Sequence, residues 1–124
     1  KNIAGKDRFT VIPSGVDLGR FIITDDARTR ARAKLGISSD APVVALLARL
    51  DPLKGHDDLL DILPKLAERF PEIQLLFIGD GWGRDHVERR MASPGVADHV
   101  NLLGYIPHEQ VHGFLPAADV KVLP

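Results

Sequence analysis

The run Val43-Val44-Ala45-Leu46-Leu47-Ala48 holds six small or branched apolar residues in a row, bounded by Asp40-Ala41-Pro42 before it and Asp51-Pro52 after it. A strand with one wet face alternates polar and apolar residues. An unbroken apolar run of this length between turn formers predicts a strand covered on both faces. Strands of that kind belong mostly to parallel sheets with helices on either side, and there ligands gather outside the carboxyl ends of the strands. Arg49, Lys54 and Gly55 follow the run and are expected at that edge. Two cations beside a tight turn that opens a helix suit a phosphate or diphosphate. The alternative is that both are ordinary surface charges.

The rest of the chain supplies companions for this strand. Residues 9–12 are a short strand candidate ending at Pro13-Ser14-Gly15-Val16-Asp17, where Gly15 could take positive φ in a turn. Thr24-Asp25-Asp26 offers cap residues for a helix over 27–35, closed by Gly36. Its Arg28, Arg30, Arg32 and Lys34 read as a solvated basic face. Residues 57–70 carry Leu59, Leu60, Leu63, Leu66, Ala67 and Phe70 at helical spacing. Pro64 lies inside that pattern and is expected to kink or split the helix near Leu63.

Strands follow at 74–78, 100–103 and 119–123, with helices over 84–92 and 108–115 between them. This alternation predicts an α/β fold: a three-layer, Rossmann-like parallel sheet of about five strands, with helices on both faces and right-handed crossovers. Parallel strands put their carboxyl ends on one edge. Arg49 to Gly55, Gly79 to Gly83, Gly104 to Pro107 and Pro124 should therefore cluster there, although they are scattered in sequence. Backbone amides and two cations for phosphates, with the Tyr105-Ile106 loop for a base, would accommodate a nucleotide.

Composition narrows the classes. A formal net charge of -1 argues against a nucleic-acid binder, which usually carries a basic excess. No apolar run approaches the length of a bilayer span. The absence of cysteine excludes a disulfide framework, a thiolate nucleophile and any Cys-ligated metal. It is compatible with a reducing compartment, and a cytoplasmic setting is the expectation. Lys1 at the start, and Pro124 directly after an apolar run, suggest that residues 1–124 are one partial domain, cut at both ends from a longer protein.

Two sharper motifs are present and neither persuades. Gly79-Asp80-Gly81-Trp82-Gly83 follows a strand and precedes a helix, but a dinucleotide fingerprint needs its third glycine at position 84, which is Arg84. His108-Glu109-Gln110-Val111-His112 matches the zinc-protease pattern H-E-x-x-H. No Glu or His follows as a third ligand, and Pro107 with Glu109 fits a helix start instead. No metal site is expected. Asp57, Asp58 and Asp61 read as first-turn acids that complement a helix dipole.

Several short motifs occur in a fixed order: Val11-Ile12-Pro13-Ser14-Gly15-Val16-Asp17, Phe21, Arg32 with Leu35-Gly36-Ile37, and Ala48-Arg49-Leu50 with Lys54-Gly55. They continue with Leu59-Leu60, Phe77-Ile78-Gly79-Asp80-Gly81, Val100-Asn101-Leu102-Leu103-Gly104, Ala118-Asp119-Val120 and Leu123-Pro124. In this register the chain resembles the carboxyl-terminal, donor-binding domain of family-4 glycosyltransferases, the group-1 type with the GT-B fold. The resemblance implies half of a GT-B fold and a retaining transfer of a sugar from a nucleotide sugar. Arg49 and Lys54 would hold the donor diphosphate and stabilise the leaving nucleotide. Gly79, Asp80 and Gly81 would shape the floor of the cleft. Gly104, Tyr105 and Ile106 would lie near the base, and Gly15 would face a partner domain. The two cations would stand in for a metal, and no cofactor beyond the donor is implied.

The chain departs from the family at Ser14, where Asn is usual, at Ala48, where Gly is common, and at Trp82, where Pro is usual. The paired-glutamate motif that contacts the donor sugar would come after Pro124, and an amino-terminal acceptor domain would precede Lys1. The isolated segment is therefore expected not to catalyse transfer. Two other readings stand beside this one: a different GT-B enzyme, such as a nucleotide-sugar epimerase or a sucrose-type synthase, and a non-catalytic flavodoxin-like module.

Overall fold

A computed structural model describes residues 10–124. Four parallel strands form one sheet in the order β3-β2-β1-β4: β1 is Val43–Leu47, β2 is Gln74–Ile78, β3 is Val100–Leu102 and β4 is Val120–Lys121. Helices α1 (Asp25–Leu35), α2 (His56–Arg69), α3 (Arg84–Met91) and α4 (His108–Val111) fall between or before them.

The apolar runs form β1 and β2 because both faces of these strands are covered. In the register, Val44 pairs Leu75, Ala45 pairs Leu76 and Leu46 pairs Phe77. Leu46, Leu75 and Phe77 face a core built with Leu59, Leu60 and Leu63 of α2 and Val87 of α3. Val43, Ala45, Leu76 and Ile78 face the opposite core with Ala31 of α1, Ile37 and Ala117. Each fully buried Leu contributes about 1.5–3 kcal/mol, so two such faces outweigh the order that they impose.

Helix α1 begins where its caps predict. Thr24 accepts a hydrogen bond from the Ala27 N–H through its hydroxyl, and Gly36 ends the helix in the left-handed region. Its basic face is not wholly solvated. Arg32 is buried; its Nε donates to the Ala117 carbonyl at 3.1 Å and its Nη2 to Asp119 at 2.9 Å. Its Nη1 also reaches the carbonyls of Ser38 and Ser39. Asp119 accepts from the Val43 N–H at 2.8 Å as well, and so locks α1 against the start of β1.

Four expectations change. Of the strand expected at residues 9–12, Phe9 lies outside the described residues and Thr10 to Ile12 form no strand. Val11 and Ile12 are exposed, and the sheet has four strands among the described residues rather than about five. Apolar content suits a strand, but a strand also needs a ladder partner, and this segment has none among the described residues. Gly15 does not adopt positive φ, and no turn forms around it. Pro64 does not split α2, which runs unbroken through it. The ring sits on the exposed side of the helix. The last expected helix is shorter than 108–115, since α4 ends at Val111 and a separate 3-10 turn follows at Leu115–Ala117.

Candidate functional site

The loops that leave β1, β2 and β3 are stitched together past the ends of the strands. Ala48 N–H donates to the Ile78 carbonyl at 3.0 Å, Leu50 N–H to the Asp80 carbonyl at 3.1 Å, and Gly79 N–H to the Gly104 carbonyl at 2.8 Å. Gly83 N–H returns to the Leu50 carbonyl at 3.0 Å. This crowding explains Gly79. Its φ is 145°, and a Cβ there would lie 1.9 Å from the Ala48 carbonyl oxygen. Gly81 is also close-packed, with the Leu50 carbonyl oxygen 2.6 Å and Arg49 Cγ 2.9 Å from where its Cβ would stand.

Arg49 leaves this edge into solvent, and its Nη2 donates to Asp51 Oδ2 at 3.2 Å. Asp51 caps a 3-10 turn over Pro52–Lys54, accepting from the Leu53 N–H at 3.1 Å through Oδ1. Gly55 follows at φ 76°, which lets Lys54 end that turn while α2 starts at once. Asp51 is held below the usual carboxylate range. The Leu53 N–H is the main cause; burial opposes it, and the hydrogen bond from Arg49 and the charges of Arg49 and Lys54 add to it. Arg49 precedes the turn that Asp51 caps, and Lys54 ends it.

Arg49, Gly79, Asp80, Tyr105 and Ile106 line one depression of 370 Å³. Asp80 Oδ1 accepts from the Gly81 N–H at 2.8 Å. Gly104 joins through its bond to Gly79, and Tyr105 is exposed. Seven of the nine candidate residues thus meet at the carboxyl ends of β1, β2 and β3, while Lys54 stands apart from the depression, at the end of the turn that Asp51 caps. Gly15 is not among them: it is exposed, and a Cβ built on it meets nothing within 4 Å.

His108 and His112 are both exposed, on a helix of a single turn. Among the described residues no three His, Asp or Glu side chains gather as a metal site.

Sequence reasoning missed three neighbours of this edge. Arg84 links Asp80 at 3.4 Å to Glu88 at 2.7 Å, and its Nη1 is 3.1 Å from where a Gly104 Cβ would stand. The i, i+4 spacing of Asp80, Arg84 and Glu88 is the signal that could have found it. Asp57 and Asp61 do more than complement a helix dipole. Arg90 of α3 donates to both, and His86 lies 2.9 Å from Asp57. Finally, a cavity of 530 Å³ lies between the starts of α2 and α3, lined by residues that include Asp51, His56, Trp82 and Asp85.

Comparison with known proteins agrees with this architecture. Residues 27–124 match the family described as "Glycosyl transferases group 1". The chain is 40% identical over 113 residues, 91% of its length, to a GDP-mannose-dependent alpha-(1-6)-phosphatidylinositol monomannoside mannosyltransferase of Mycolicibacterium smegmatis, and covers 29% of that protein. It is 37% identical over 125 residues, 98% of its length, to a D-inositol 3-phosphate glycosyltransferase of Segniliparus rotundus, covering 27% of it. The chain thus spans well under a third of the length of these curated relatives. Among solved structures, Anabaena HepE in complex with UDP and glucose aligns with a TM-score of 0.75 at 23% identity, over 92% of this chain and 31% of that one. Sucrose-phosphate synthase from Thermosynechococcus elongatus aligns with a TM-score of 0.73 at 31% identity, over 91% and 28%. The sheet and its flanking helices are those of GT-B glycosyltransferase carboxyl-terminal domains.

Proposed function

This chain belongs to the group 1 glycosyl transferases, and from that premise we propose that it supplies the nucleotide-sugar-binding part of a retaining hexosyltransferase, with Arg49 and Lys54 holding the donor diphosphate. The observation that carries this reading is the meeting of the β1, β2 and β3 loops at one rim, with Arg49 exposed there beside Asp51 and Lys54 at the end of the turn that Asp51 caps. An arriving diphosphate offers more negative charge than a single carboxylate and draws both cations onto itself. When the bond between sugar and phosphate breaks, negative charge grows on the leaving nucleotide, and fixed cations there lower the barrier without any metal.

Gly79 and Gly81 let the loops after β1 and β2 pack closely beneath the diphosphate, and the depression beside Tyr105 and Ile106 takes the base. The relative named as GDP-mannose-dependent puts GDP first among the nucleotides to test. Gly15 faces the remainder of the protein, which holds the acceptor. Because the chain covers less than a third of its relatives, transfer needs more than these residues, and the isolated chain is expected to bind without turning over.

The test is a thermal-shift and calorimetric panel with GDP, UDP and ADP. One of them should raise the melting temperature, with about 2.7 kcal/mol of stabilisation when present at about a hundredfold over its Kd. Arg49→Ala and Lys54→Ala should each abolish that shift. Indifference of the unsubstituted chain to all three nucleotides overturns the proposal.

A further inference from the structure

Arg84 opens α3 and does not line the depression beside Arg49, yet its guanidinium lies against both loops that bound that depression. Toward the loop after β2, Nη1 donates to Asp80 Oδ2 at 3.4 Å. Along its own helix, Nε donates to Glu88 Oε1 at 2.7 Å. Toward the loop after β3 it meets Gly104. A Cβ on that glycine would stand 3.1 Å from Nη1, tighter than an ordinary contact, so the guanidinium fills the space that a side chain there would take. Glu88 holds one edge of the planar fork, and the other edge is thereby aimed at Asp80.

The charges give this placement a purpose. Among the residues that line the depression, Asp80 is the one carboxylate and Arg49 the one cation. A loose carboxylate there repels a diphosphate and attracts the same cation that the diphosphate needs. Both Asp80 oxygens are engaged elsewhere: Oδ1 accepts from the Gly81 N–H at 2.8 Å, and Oδ2 accepts from Arg84. Arg49 meanwhile pairs with Asp51. Asp80 and Glu88 share the single guanidinium of Arg84, so removing it doubles the uncompensated negative charge at this corner of the rim.

We propose that Arg84 is a positioning residue for the donor: without touching the nucleotide, it holds the Asp80 carboxylate toward α3 and so clears the depression for an anion beside Arg49. This inference rests on the nucleoside-diphosphate reading above and adds to it a residue that acts only through Asp80.

The experiment is calorimetric titration of GDP, UDP and ADP into the unsubstituted chain, Arg84→Gln, Asp80→Asn and the double variant. The side chains of Arg84 and Asp80 are 40% and 46% exposed, so neither substitution opens the core. Arg84→Gln should weaken the bound nucleotide by about fivefold, the upper scale of an exposed ion pair. Combined with Asp80→Asn, the same substitution should cause no further loss, because the charge that it unmasks is gone. The ratio between Arg84→Gln and the unsubstituted chain should also shrink as salt is raised, since the effect is one of charge at an exposed site. A residue that served only to brace the loops would weaken binding equally with and without Asp80→Asn, and at every salt concentration. The proposal is overturned by that equal loss, by a ratio indifferent to salt, or by unchanged affinity in Arg84→Gln. If the unsubstituted chain binds none of the nucleotides, the function proposed above fails and takes this inference with it. If it binds one and the two substitutions act independently, this inference alone fails.

Discussion

Arg49 donates to Asp51 through Nη2 at 3.2 Å, so the cation that follows β1 is already engaged by a carboxylate two residues away. That carboxylate is a competitor for any anion. Because its pKa is lowered, chiefly by the Leu53 N–H, it stays ionised throughout the neutral range and below its ordinary value of 3.8.

Replacing it by an amide tests the competition. Asp51→Asn keeps an oxygen for the Leu53 N–H and removes the charge between Arg49 and Lys54. Binding of the preferred nucleoside diphosphate should tighten by about fivefold, the scale of an exposed ion pair. Calorimetric titration of the two proteins side by side measures this, and a weaker complex would mean that Asp51 supports the ligand instead of opposing it.

The glycine that crosses behind Arg49 has no substitute. Gly79→Ala combines a φ of 145° with a Cβ 1.9 Å from the Ala48 carbonyl oxygen, and relief requires the loops after β1 and β2 to separate. A loss of at least ~2 kcal/mol in urea denaturation is expected. Gly95→Ala is the matched control. It too has positive φ, at 77°, but a Cβ there meets nothing within 4 Å, so only ~1–2 kcal/mol of conformational strain applies.

Arg32 should prove a fastener of the fold. It is 3% exposed and reaches three carbonyls as well as Asp119. Arg32→Lys keeps the charge and loses the fork, so it should destabilise the chain by about 3 kcal/mol.

The same cluster sets an acid limb. The folded pKa of Asp119 is lowered: burial alone would raise it, but the Arg28 hydrogen bond, the Val43 N–H and the charges of Arg28 and Arg32 together outweigh burial. A depressed carboxylate contributes stability that is fully present above its unfolded value of 3.8 and is lost as pH falls through the lower folded value. Acid unfolding followed by circular dichroism should show that limb shrink in Arg28→Ala.

How much of this was legible depended on whether neighbours in sequence or neighbours in space decide. The strands β1 and β2 were readable because Val43 to Leu47 and Leu75 to Ile78 are apolar at nearly every position, a pattern that only two-sided burial rewards. Thr10 to Ile12 looked the same in composition, yet whether a segment pairs is settled by what lies alongside it. Among the cations of α1, Arg30 pairs with Asp26 at the surface, while Arg32 turns inward and reaches the Ala117 carbonyl, 85 residues away in sequence, and Asp119. Nothing local distinguishes the two. The edge cluster of Arg49, Gly79, Asp80 and Gly104 was legible because parallel strands must end together. His56 was not, since its burial depends on Phe77 and on the cavity beside Trp82.

Since backbone bonds tie Ala48 to Ile78, Leu50 to Asp80 and Gly83, and Gly79 to Gly104 where the strands end, this end of the molecule forms an anvil rather than a set of fingers. A guest landing on it need not freeze floppy chain segments, and it keeps more of its contact energy as affinity.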